Sequence, residues 1–262
     1  MKNNFVNLDI GRYSLFFLKK EKKQRIIDER ILIAPRDEYE SFLSLVHGWL
    51  GERNELEEKL QLLHFLSSIV KRDIQVDLLS EVYYKEEGKI TNLLREAFIP
   101  LTYIDSKGER RRLESAGKER VNLDEVVTIA IPWKRPRMRD AIINIAKKGF
   151  IFHSNNHMGS YFKEIDLCYI TSGNHSIASG IVQKSGYIEV DSYEIEQLFE
   201  HISTDGEYWI NAHTNERLTF WDGGDFIKVV DFRIAVLYEM AKIKHQYQQE
   251  AKNVPNAMKI HY

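Results

Sequence analysis

The run from Ile165 to Asp191, IDLCYITSGNHSIASGIVQKSGYIEVD, constrains the fold most, because its residue types change in the order of a strand, a polar turn, a helix and a second strand. Ile165, Leu167, Cys168, Tyr169 and Ile170 form a short apolar run rich in strand formers and bounded by a turn, the pattern of a buried strand. Ser172-Gly173-Asn174 then offers a permissive backbone and a capping side chain. Ile177, Ala178, Ile181 and Val182 follow at helical spacing, so a helix is predicted to begin near Asn174 or His175. Gly186 closes it, and Tyr187 to Val190 reads as the next strand. Free amides at a helix start, backed by the helix dipole, form a seat for a phosphate or carboxylate, and His175 and Ser176 lie beside that seat.

A second strand-to-helix passage lies upstream. Val126 to Ile131 is a β-branched run that delivers Pro132 and then Trp133-Lys134-Arg135-Pro136-Arg137-Met138-Arg139. Arg135 and Arg137 face the start of a helix predicted over Asp140 to Lys148, and guanidinium forks suit phosphate oxygens; plain surface charge is the alternative. The loop from Phe152 to Gly159 holds His153 and His157, which with His175 make three of the nine histidines. Such rings bind a transition metal, act as a general base, or make a hydrogen-bonded turn. The HxxxH spacing lies on one face only in a helix, whereas Asn155-Asn156 and Gly159 favour a loop.

The segment SGNHSIASGI resembles the signature of the ParB/sulfiredoxin-like superfamily: a glycine, polar residues including His or Arg, then an alanine-bearing helix. IPWKRPRMRDAIINIAKKGF resembles the other half of that module, and the two matches lie between Val126 and Tyr193. With the downstream TDGEYW and DFRIA segments, the chain is also similar to an uncharacterised family of bacterial ParB-like proteins, which implies no established activity. The resemblance implies a mixed sheet-and-helix module that binds a nucleotide or nucleic-acid phosphate, with Gly173, Ser176, Arg135 and Arg137 as phosphate contacts. Some relatives hydrolyse nucleotides, transfer phosphate or cleave DNA. His175 is therefore the first candidate for proton transfer or electrostatic stabilisation, Asn174 would orient a phosphate oxygen, and His157 is the third catalytic candidate. Two departures stand out. His175 and Ser176 occupy positions where ParB proteins carry arginines, and Asn174 stands where sulfiredoxins place a cysteine, the chain's Cys168 lying in the preceding strand.

Elsewhere the pattern is helical from Asp37, with Tyr39, Phe42, Leu43, Val46 and Leu50 on one stripe and Leu56, Leu60, Leu63, Leu66, Ile69 and Val70 on another, broken at Gly51. Helical pieces continue through Leu78, Leu79 and Val82 and then Asn92 to Phe98. Tyr13 to Leu18 reads as a strand or short helix, and Ile31 to Ala34 as a strand fragment. Leu101 to Ser115 reads as a hairpin around Asp105-Ser106-Lys107-Gly108, whose return strand carries Arg110, Arg111 and Arg112, either a phosphate-tracking patch or a solvated edge. Past the module, a helix is predicted over Tyr193 to His201, a hairpin over Tyr208 to Phe220 around His213-Thr214-Asn215-Glu216, an acidic turn at Asp222-Gly223-Gly224-Asp225, and a helix over Phe232 to Tyr247. The expected architecture is α+β. Residues 1–120 form a mostly helical region with a hairpin near 101–115; residues 121–262 form the ParB-like α/β module with a C-terminal hairpin and helix.

A formal net charge of −2 means that the chain as a whole is no polyelectrolyte for nucleic acid, so any such contact rests on a local basic patch. One cysteine excludes an intrachain disulfide and a cysteine-based zinc site. The apolar run at Tyr13 to Leu18 is too short for a membrane span, so a cytoplasmic protein without membrane contact is expected. Walker-type lysine loops, GxGxxG turns and serine-base-acid orders do not stand out. Three functional readings stay open. The first is a ParB-like binder of nucleotide or nucleic acid, with or without nuclease, nucleotide-hydrolase or phosphotransfer activity; nucleotide is then the cofactor class, ahead of a divalent metal. The second is a non-catalytic regulatory module that docks a protein partner through its N-terminal helices. The third is a metal-dependent hydrolase using His153, His157 and His175.

Overall fold

Alternation along one strand sets the architecture. In Leu167–Ser172 the first four side chains are all buried: Leu167 and Tyr169 join one hydrophobic core, Cys168 and Ile170 the other. A strand buried on both faces must lie inside a sheet covered on both sides, and this one does. The computed structural model of the chain describes residues 35–91, 98–220 and 223–253. The readings at 13–18, 31–34 and 92–97, and Asp222 of the acidic turn, fall outside the described residues.

The sheet has five strands, β3 (Gly117–Asn122), β4 (Val127–Ile129), β5 (Met158–Phe162), β6 (Leu167–Ser172) and β7 (Tyr187–Tyr193), in the order β3-β7-β5-β6-β4. It is mixed: β4 runs parallel to β6 and β5 parallel to β7, while β5–β6 and β3–β7 are antiparallel. Two hairpins accompany it, β1 (Thr102–Ile104) with β2 (Arg110–Arg112) and β8 (Ile202–Thr204) with β9 (Trp209–Asn211). The first turns at the predicted place, where Asp105 Oδ1 accepts the Lys107 and Glu109 amides.

One face of the sheet is covered by α1 (Pro35–Gly51), α2 (Leu56–Tyr84) and α5 (Phe232–Asn253), which share the larger core with Ile129, Phe162, Leu167 and Tyr169. The other face carries α3 (Arg135–Lys148) and α4 (Asn174–Val182), packed through Met138, Ile177 and Ala178. The α+β reading holds. α1 ends at Gly51 as the sequence suggests. α2 is one helix rather than several pieces, because Leu63, Leu66, Val70, Ile74, Leu78 and Val82 keep three- and four-residue spacing with no glycine or proline between them.

Two further elements differ from expectation. α3 starts at Arg135, with a proline in its first turn, where the missing N–H costs nothing. The helix predicted over 193–201 shrinks to a 3-10 turn, Ile195–Leu198, because Tyr193 still pairs with Phe162 in the β5–β7 ladder and the Ile195 amide donates to Glu164 Oε2 at 2.7 Å.

Candidate functional site

Because β4 and β6 are parallel, with Val127 opposite Leu167 and Ile129 opposite Tyr169, both release their following helix at the same edge of the sheet. Ligands in α/β sheets gather at such carboxyl ends. Gly173, with φ of +81°, makes the sharp turn from β6 into α4. The two loops are then sewn together by residues of α4. Asn174 Oδ1 accepts the Ile131 amide at 2.7 Å, and His175 Nε2 accepts the Lys134 amide at 3.1 Å. Neither α3 nor α4 is capped by the side chain of its own N-cap residue, so two positive helix ends lie side by side.

These bonds decide what His175 can do. Its Nε2 lone pair is engaged, so the neutral ring carries its proton on Nδ1 and offers that N–H as a donor. Burial holds the ring below the usual histidine pKa, and the nearby Arg137 charge adds to this. The edge of Trp133 meets the His175 ring at 4.4 Å between centroids. At neutral pH His175 is thus an uncharged donor rather than a ready base.

His157 is buried and fully engaged. Its Nδ1 accepts the His153 amide at 3.1 Å, which puts its proton on Nε2. Nε2 lies 2.9 Å from Ser176 Oγ, which in turn donates to the Gly173 carbonyl at 3.0 Å. The proton order is therefore fixed from His157 to Ser176 to Gly173. In this arrangement His157 donates to the serine instead of taking its proton, so Ser176 is not activated as a nucleophile. Burial, with His153 second, pushes the His157 pKa down to about 4.

The two predicted arginines part ways. Arg135 turns back to the end of α2, where Nε donates to the Val82 carbonyl at 2.9 Å and Nη2 to that of Lys85 at 2.9 Å. It caps that helix and is committed there. Arg137 is exposed and has no hydrogen bond or ion pair among the described residues. Beside the site opens a cleft of about 520 Å³ whose lining includes Trp133, Tyr169, Thr171, Asn174 and one carboxylate, Glu87. Of the β2 arginines, Arg110 is tied to the Phe220 carbonyl and Thr219 Oγ1, and Arg111 to Asp105 and Glu109. That matches the solvated-edge reading more than a phosphate track.

The structure therefore brings Gly173, Asn174, His175, Ser176, His157 and Arg137 to one edge of the sheet and places Arg135 elsewhere. Among the described residues, no group of three or more His, Cys, Asp and Glu side chains is arranged to hold a metal ion. A metal on His157 would have to displace one of the bonds made by its two ring nitrogens. Trp133 is the site residue that sequence reasoning named without giving it a role; an aromatic set between two basic residues in a strand-to-helix turn was the available signal.

The fold and site define an α+β protein with two adjacent helix starts, neither capped by its N-cap side chain, at the end of a parallel strand pair, beside the neutral imidazole of His175 and the exposed Arg137. The chain belongs to a family of unknown function, DUF6710, whose model matches residues 16–251. No curated protein and no solved structure matches it.

Proposed function

We propose that this chain binds the phosphate of a nucleotide or nucleic acid at the edge where α3 and α4 begin. The observation that carries the reading is the convergence there of two helix starts with the guanidinium of Arg137, which lies near His175 and has no hydrogen bond or ion pair among the described residues. Backbone amides, the Nδ1–H of His175 and Arg137 are all donors, which suits an acceptor-only phosphate. Trp133, 44% exposed on the cleft wall, supplies a surface on which a base stacks. The ParB-like resemblance agrees with this reading. The proton order through His157 and Ser176 favours binding over hydrolysis, because the groups that would serve as base or nucleophile are committed as acceptor and donor to their neighbours. No helix among the described residues is long and apolar enough to cross a membrane, and a cytoplasmic location, where nucleotides are plentiful, fits the reading.

A thermal-shift and titration series with ATP, CTP, GTP and a short oligonucleotide tests this. Arg137→Ala, an exposed change, should leave the unliganded melting temperature nearly unmoved and weaken binding by at least about tenfold, the value of a charge-assisted contact. Equal binding by both proteins, or none by the wild type, overturns the reading.

A second reading rests on α2. Phe65, Ile69, Val76 and Tyr83 are 59, 50, 64 and 48% exposed and fall on one stripe opposite the buried face, where a solvated helix normally carries charge. In an antiparallel pair of such helices Phe65 faces the partner's Tyr83 and Ile69 its Leu79, with Arg72 opposite Val76, so the apolar ends of the stripe match one another and the fitting occupant is a second copy of the chain. Sedimentation of wild type and Ile69→Asp checks this: a concentration-dependent dimer lost in the variant is expected, and a wild-type monomer at high concentration contradicts it.

A further inference from the structure

A pair of histidines outside this site has no role in the reading above. His201 leads into β8 and His213 follows β9, and the hairpin ladder extends to them through the Ala212 amide, which donates to the His201 carbonyl at 2.9 Å. The rings face each other, with His201 Nδ1 2.8 Å from His213 Nε2. Both are held in place. The Tyr103 ring stacks on His201 at 4.7 Å and 15°, and Asn211 Oδ1 accepts the His213 amide at 2.9 Å, fixing the turn.

In the hydrogen-bonded pair one facing nitrogen carries a proton and the other a lone pair, and when that proton sits instead on the far nitrogen of its own ring both facing nitrogens offer lone pairs. Zn–N bonds of about 2.0–2.1 Å at a tetrahedral angle need the nitrogens roughly 3.4 Å apart, so an opening of about half an ångström converts the hydrogen bond into a chelate. Such a change lies within rotation of the partly exposed rings. Burial, with His213 second, holds His201 below the usual histidine pKa against the smaller pull of Glu200 and Asp105, so the pair stands as neutral nitrogen donors at neutral pH.

We propose that His201 and His213 form a two-imidazole site for a borderline divalent cation of the Zn2+, Ni2+ or Cu2+ class, completed by water. Nitrogen ligands select these ions over Mg2+ and Ca2+, which prefer oxygen. Both rings stay neutral on binding, the proton between them moving to the far nitrogen of its own ring.

The test is calorimetric titration of the full chain with ZnCl2 and, separately, MgCl2, in wild type, His213→Gln and His201→Gln. Wild type should bind Zn2+ at this site and Mg2+ not measurably. His213→Gln, an exposed change, should weaken that Zn2+ binding by at least about tenfold without lowering the melting temperature, and His201→Gln should do the same. Zn2+ binding equal in wild type and His213→Gln would assign the ion to other histidines and overturn the proposal, as would absence of binding at pH 7.5. Because the titration uses metal alone, its failure is independent of phosphate binding at Arg137.

Discussion

Gly173→Ala is expected to cost about 3–4 kcal/mol of folding stability, a large part of what a domain of this size has. Gly173 sits at φ +81°, a left-handed conformation that costs an L residue about 1–2 kcal/mol. An added Cβ would also lie 2.5 Å from His157 Cδ2 and 2.9 Å from the Asn156 carbonyl oxygen. Neither neighbour can yield cheaply, since one is backbone and the other a buried ring bonded at both nitrogens. Overpacking of that kind adds roughly 1–3 kcal/mol. Gly108→Ala provides the control: its φ is +80° but a Cβ there meets nothing within 4 Å, so only the conformational part is lost. Denaturant unfolding of both variants should separate them by about 2 kcal/mol, and equal losses would mean that the close approach of the His157 loop to Gly173 is not held in solution.

Acid should destabilise the fold through His157. Its folded pKa of about 4 lies below the ordinary histidine value near 6.5, so the unfolded chain takes up the proton first. The native state's advantage is therefore complete above pH 6.5, shrinks as the pH falls, and is gone below about 4. At about 1.4 kcal/mol per unit, the loss across that window is on the order of 3–4 kcal/mol. His175, also held low by burial, tilts the curve the same way, while Glu164 and Glu239, raised by burial, tilt it the other way. The informative quantity is thus the difference between wild type and His157→Gln. The variant should be less stable at pH 7.5 yet lose much less on going to pH 4.5, and parallel pH curves for the two proteins would contradict the buried neutral imidazole.

What could be read from the chain was whatever is encoded locally. The β6–turn–α4 passage is legible because a short apolar run rich in strand formers gives way to helical spacing across a glycine, all within one short segment. α1 and its end at Gly51 were legible for the same reason. α3 begins earlier than its apolar spacing predicts, because its basic first turn has the composition of a loop, although Pro136 is favoured there. The fate of Arg135 was out of reach, since its partners are carbonyls some fifty residues earlier in the chain. So was the proton order through His157, which depends on an amide in its own loop and a serine on another element. Composition marked the site; long-range hydrogen bonds decided which of its residues are free to meet a ligand. His201 and His213 became neighbours only through the pairing of β8 with β9.

The most direct measurement of phosphate binding is a 1H–15N correlation spectrum of the labelled chain titrated with nucleotide and, separately, with a short oligonucleotide. The largest shifts should fall on the Asn174, His175 and Ser176 amides and on the Arg137 guanidinium, with saturation and with weakening as salt is raised. Saturable shifts confined to another surface, or no shifts at millimolar nucleotide and oligonucleotide, would show that the shared edge of α3 and α4 is not a phosphate site.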